Sequence, residues 1–210
     1  MADQENLRYV LNLARTCVHQ AQAHQALEHL RNIQNDIEDL EGDSLWAEWQ
    51  LVYAGALAAM NQRGAETAFE DALKRCAALS EANPALTMLT HSDYAKYLAG
   101  RRATGRAREH YREAEKIADS LGREECVAHF QMCIIRLGLE ESNSPHRPAF
   151  QRLQEAAKDG YTEVQQREGW IHYCEEFDGM SPQLVATRKG TEGSVEYFRG
   201  VLSAIKRSRK

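Results

Sequence analysis

The sequence predicts an all-α protein, and three observations carry that expectation. Ala, Leu, Glu, Gln and Arg crowd its 210 residues, while runs of Val, Ile and Thr are almost absent. Only 4 Pro interrupt the chain. A pattern of small-x-x-x-large-x-x-small also recurs, as Ala65, Phe69, Ala72, then Ala107, Tyr111, Ala114, then Ala149, Leu153, Ala156, each set 42 residues after the last. Weaker echoes stand 39 residues before the first, as Ala26, Leu30, Ile33, and 45 after the last, as Ser194, Phe198, Val201.

Offsets of i, i+4 and i+7 place the three residues on one stripe of a helix, a large residue between two small ones. Small residues let a neighbouring helix approach closely, and the large one fills the notch. Each such helix follows another apolar-periodic segment: Trp46, Trp49, Val52, Tyr53 and Leu57 in one case, Met88, Leu89, Tyr94 and Leu98 in the next. Two helices per period follow, making about ten helices in about five hairpins.

In chain order, the pattern predicts helices over 4–21, 24–40, 44–61, 64–81, 85–100, 105–121, 123–139, 146–158, 162–177 and 191–206. Gly42-Asp43-Ser44 supplies a cap before the third, and Asn83-Pro84 separates the fourth from the fifth. Gly122 ends the sixth, Ser142-Asn143-Ser144-Pro145 opens a loop, and Asp159-Gly160 closes the eighth. The stretch 178–190, with Gly179, Pro182 and Gly190, has no helical pattern; it is expected to hold a short extended piece at Leu184-Val185-Ala186 or to form a loop.

Composition sets the outer limits on function. With 43% hydrophobic and 27% charged residues the chain can bury a core. Lys plus Arg total 26 and Asp plus Glu 31, a net charge of −5 that argues against a generally basic coat for nucleic acid. No apolar run approaches the roughly 18 residues of a membrane span, and the start MADQENLRYV is too polar for a signal peptide. Cys17, Cys76, Cys126, Cys133 and Cys174 are an odd set without a Cys-x-x-Cys pair, read as reduced thiols in a cytoplasmic protein.

From Trp46 to Leu121, and more weakly to Ala156, the chain resembles the tetratricopeptide-repeat family in its longer form of about 42 residues per unit. The small residue, aromatic and alanine of the family's second helix are matched by Ala65, Phe69, Ala72 and by Ala107, Tyr111, Ala114. Trp49 fits the Trp of its first helix, and Tyr94-Ala95 with Leu98 fits the pair that follows, whereas the family's closing Pro is replaced by Ala77 and Asp119. The resemblance implies one domain over 1–210, with its best repeats at 44–158, built as a right-handed superhelical solenoid of antiparallel hairpins. It further implies a concave groove, lined by first helices, that takes a peptide or helix of another protein. In that register Gln50, Ala54, Ser92, Asp93 and Lys96 face the groove; of the Asn and Lys with which some members grip a terminal carboxylate, only Lys96 is matched.

Other candidates are weighed against plainer readings. Arg101, Arg102, Arg106, Arg108 and Arg112 suit carboxylates or phosphates, or form a solvated face balanced by Glu113 and Glu115. The acidic set Asp36, Glu38, Asp39, Glu41 and Asp43 would complement it between two copies, giving a homodimer. The basic tail 206–210 favours a helix dipole or is unstructured. Cys126, His129 and Cys133 share one helical face, as zinc ligands would, but lack a fourth ligand and sit beside Phe130 and Leu137; no metal and no cofactor is expected. Arg167 with His172, and Arg123 with His129, have the spacing of a helical ribonuclease's pair, at the frequency chance supplies. No phosphate loop, nucleophile elbow or His-Glu-x-x-His is present. Trp46, Trp49 and Trp170, with Tyr173 and Phe177, are expected in the core.

The expectation is therefore a non-enzymatic adaptor or regulatory module that binds a protein segment, with Gln50, Ser92, Asp93, Lys96, Arg101, Arg102, Arg106 and Arg108 as its polar contacts. The alternative is a nucleic-acid-associated helical protein or ribonuclease. A small-molecule sensor ranks third.

Overall fold

The computed structural model describes residues 4–141, 147–155 and 160–178. Ten helices lie among them: α1 Gln4–His19, α2 Ala23–Asn32, α3 Gln34–Glu38, α4 Ser44–Ala59, α5 Ala65–Ala77, α6 Pro84–Gly100, α7 Thr104–Ser120, α8 Glu124–Glu141, α9 Arg147–Glu155 and α10 Glu163–Asp178. Every regular element among the described residues is a helix, as composition predicts, and none is long and apolar enough to cross a membrane. Asp178, the last residue of α10, is the sole described residue of the stretch 178–190; the helix expected at 191–206 and the tail 206–210 lie outside the described residues.

The expected helix 24–40 is instead two. The chain breaks at Ile33, whose φ of −111° is not helical, and resumes as α3. Ile33 at the break and Ile37 beyond it are both buried, and α3 packs against α4. Elsewhere capping explains the boundaries. The Asp43 carboxylate accepts a hydrogen bond from the Leu45 N–H at 2.8 Å, and the Asn83 Oδ1 accepts one from the Leu86 N–H at 3.1 Å. Thr162 and Gln165 cap α10 reciprocally, Gln165 Oε1 taking the Thr162 N–H at 2.9 Å and Thr162 Oγ1 the Gln165 N–H at 3.4 Å.

The turns after α1, α4 and α6 share one geometry. Ala21, Asn61 and Arg102, 40 and 41 residues apart, take φ values of 60°, 53° and 62°. In each the next residue's N–H returns to a carbonyl five residues back: Gln22 donates to Cys17, Gln62 to Leu57 and Ala103 to Leu98, at 2.8, 3.0 and 2.9 Å. Gly122, φ 65°, repeats the motif after α7, with Arg123 N–H on the Ala118 carbonyl. The period seen in the side chains thus recurs in the backbone, at positions where only one of the four residues is glycine.

The chain divides into two compact units, Met1–Tyr97 and Leu98–Lys210, the division falling inside α6. In the first, α1 packs on α2, both pack on α4, and α4 packs on α5. The start of α6 joins α5 through Phe69 stacked on Tyr94, ring centroids 5.2 Å apart, and through Cys76 Sγ beside Thr90 Oγ1. In the second, α7 packs on α8, α8 on α10, and α9 on both α8 and α10, where Phe150 meets Trp170 edge-on. Each unit therefore repeats one rule: a helix packs on the next and on the first helix of the following pair.

The recurring stripes are buried as the packing argument requires. Ala65, Phe69, Ala72, Ala107, Tyr111, Ala114, Ala26, Leu30, Ile33 and Leu153 all lie in the core. Close helix approach is visible at Gly55, where an added Cβ would stand 3.7 Å from Val18 Cγ1.

Candidate functional site

Three first helices of the Met1–Tyr97 unit bring charged side chains together. Arg15 of α1 pairs with Glu48 of α4 at 3.1 Å. Asp93 of α6 lies in the field of Lys96, His19 and Arg15. Asp93 is exposed in area, but crowding on its inner side raises its carboxyl above the ordinary carboxylate range by desolvation, against the pull of those three groups. Residues from α1, α4 and α6, far apart in sequence, thus share one electrostatic neighbourhood of mixed sign.

Of the residues expected at a groove, Asp93 and Lys96 are exposed in this neighbourhood, and Ser92 beside them is half-buried. Gln50 is buried: its amide donates to the Ala68 carbonyl at 3.2 Å and so ties α4 to α5. Ala54 is also buried. Arg101, Arg102 and Arg106 are exposed, whereas Arg108 is half-buried and reaches Glu141 of α8 at 2.8 Å. The arginine run is therefore split between the α6–α7 turn and a helix-to-helix ion pair. In the acidic set, Glu38 binds Arg75 at 3.1 Å and Asp43 caps α4, while Asp36, Asp39 and Glu41 are exposed.

The tryptophans are packing residues. Trp49 is buried, stacks on Tyr53 with centroids 5.2 Å apart, and donates its indole N–H to the Leu30 carbonyl at 3.0 Å. Arg75 covers Trp46 at 4.4 Å from the ring centroid and donates to the Trp46 carbonyl at 3.2 Å. Trp170 is fully buried. The side chains of Tyr173, Phe177 and His172 lie outside the described residues, and with His172 the pairing expected with Arg167.

In the Leu98–Lys210 unit, polar groups join α7, α8 and α10. Gln131 donates to Glu115 at 2.7 Å and accepts from Arg167 at 3.5 Å, and Arg167 also reaches Glu124 at 3.3 Å. Ile134, Ile135 and Ile171 complete the lining of this cleft with Arg112. His129 places Nδ1 2.7 Å from Glu163 Oε1 and Nε2 3.7 Å from Cys133 Sγ, so both ring nitrogens are committed. Its pKa is raised to about 9, first by the hydrogen bond with Cys133, then by Glu163, against desolvation. Among the described residues no three His, Cys, Asp or Glu are arranged to hold a metal ion.

Sequence reasoning missed Arg15, His19 and Glu48, which carry no motif, and Glu163, which lies 34 residues from His129. Helical phase along α1 was the available signal for Arg15 and His19, since i and i+4 share a face. No protein-family model, curated protein or solved structure matches this chain.

Proposed function

We propose that the chain is a protein-binding module, a small regulatory or adaptor subunit whose hairpins stack in a right-handed superhelix of the tetratricopeptide kind. The observation that supports this reading is the convergence of Arg15, His19, Glu48, Asp93 and Lys96 from three successive first helices. A surface on which both signs of charge stand at fixed spacing on rigid helices recognises a partner segment of complementary charge. The Asp93 carboxyl is raised above the ordinary carboxylate range by desolvation, as ionisable groups at binding sites commonly are. In the other unit, taken by itself, exposed Arg101 and Arg102 suit an acidic segment.

The test is capture from a native lysate by the wild-type chain and by the charge-reversed pair Asp93→Lys with Lys96→Glu. The reading predicts a stoichiometric protein retained by the first and lost from the second, the two having similar melting temperatures. RNA retained by both in its place, with binding that falls steeply with salt, would favour the nucleic-acid alternative.

A further inference from the structure

We propose that Cys133 is a peroxide-reactive thiol, a modification site whose co-reactant is hydrogen peroxide and in which His129 and Glu163 are positioning residues. The basis is a line of three groups on two helices: Glu163 Oε1 of α10, 2.7 Å from His129 Nδ1 of α8, and His129 Nε2, 3.7 Å from Cys133 Sγ. A cysteine that only fills core needs no such company, since a thiol packs as a small hydrophobe. Here the carboxylate fixes the ring's orientation from one side, and the other nitrogen is turned on sulfur, the arrangement by which a protonated imidazole favours a thiolate and holds a proton for a leaving group. Cys126, on the same helical face and half-buried, has no equivalent partner pair among the described residues.

Burial selects the co-reactant. Cys133 exposes only 7% of its surface, too little for an acyl or peptide substrate to approach the sulfur, so a co-reactant has to be small. Hydrogen peroxide is small, and its reaction needs what the site holds: an attacking sulfur and a proton for the leaving group. Sulfur attacks one peroxide oxygen and the O–O bond breaks. The departing hydroxide takes the proton held between Sγ and Nε2 and leaves as water. Sulfur is oxidised by two electrons to the sulfenic acid, and the peroxide is reduced to water. The ring's retention of its proton to about pH 9 supplies that donor at neutral pH.

The experiment exposes the full chain to hydrogen peroxide, stops the reaction with catalase at set times, unfolds the chain in denaturant that contains dimedone, and follows labelling at each cysteine by peptide mass spectrometry. Exposure alone predicts that Cys126 labels faster than Cys133; the proposal predicts Cys133 faster by at least about tenfold. Glu163→Gln and His129→Asn should each slow Cys133 by at least about tenfold while leaving Cys126 unchanged. A merely structural role would give the opposite sign, because loosening α8 from α10 uncovers buried thiols and speeds their labelling. Cys133 reacting no faster than Cys126, or reacting as fast or faster in the two variants, overturns the proposal.

Discussion

The two units use polar side chains differently. In Met1–Tyr97 three ties between helices end on backbone carbonyls: Trp49 on Leu30, Gln50 on Ala68, Arg75 on Trp46. In Leu98–Lys210 the buried Gln166 amide also ends on a carbonyl, that of Tyr161, but the ties between helices run nearer the surface through side chains that titrate or carry charge, as in His129 with Glu163, Arg108 with Glu141 and Arg167 with Glu124. A carbonyl acceptor does not change with pH or salt, whereas an ion pair does. The first unit, which also holds the ion pairs Arg15–Glu48 and Arg75–Glu38, should therefore respond to truncation more than to solution conditions, and the second should respond to both.

The largest expected effect is in the first unit's core. Phe69 is 1% exposed and stacks on Tyr94, so Phe69→Ala should destabilise by about 3–5 kcal/mol in urea unfolding. Gly42 comes next, with φ +89° and an added Cβ placed 2.9 Å from Ser80 Oγ; Gly42→Ala should cost roughly 1–2 kcal/mol. The shared turns provide a signed pair. Ala21→Gly, at φ 60°, should stabilise by up to about 1 kcal/mol, and Gly122→Ala, at φ 65°, should destabilise by about as much, both read from melting curves.

The pH response comes last, because the His129 and Glu163 side chains are each 43% exposed and water screens their attraction; its sign follows from proton binding. His129 titrates near 6.5 when unfolded and at about 9 when folded, so between those values the folded state holds more protons. Its stabilisation is complete below about pH 6.5 and fades as pH rises through about 9. Urea midpoints measured across that window should fall, and His129→Asn should flatten this part of the slope. An unchanged slope would mean that the bonds of His129 to Cys133 and Glu163 contribute nothing measurable to folding.

Local chemistry made most of the helices legible. The stripe Ala65, Phe69, Ala72 and its copies declared both the helices and the face they bury, and Asp43, Asn83 and Gly122 marked boundaries because their side chains, or lack of one, act within a turn of the backbone. The break at Ile33 was hidden, because no Gly, Pro or capping side chain marks it. The left-handed turns at Ala21, Asn61 and Arg102 were hidden too, since Ala and Arg give no αL signal.

At the candidate site, Asp93 and Lys96 are exposed as the repeat register expects, yet the same register turned Gln50 outward when it is an interior tie between α4 and α5. A glutamine's polarity says that it needs a partner, not whether that partner is water or a carbonyl. Arg15 and Glu163 depend on which helices become neighbours, and that is decided by packing over tens of residues.

The central claim is that the first-helix face of Met1–Tyr97 binds a protein. Its most direct measurement is the affinity of the captured partner for three chains: wild type, Asp93→Lys with Lys96→Glu, and Lys116→Glu as an exposed control in the other unit. The account predicts that affinity falls at least about tenfold, roughly 1.4 kcal/mol, for the first-helix variant and stays unchanged for the control. Equal affinity for all three chains would contradict it.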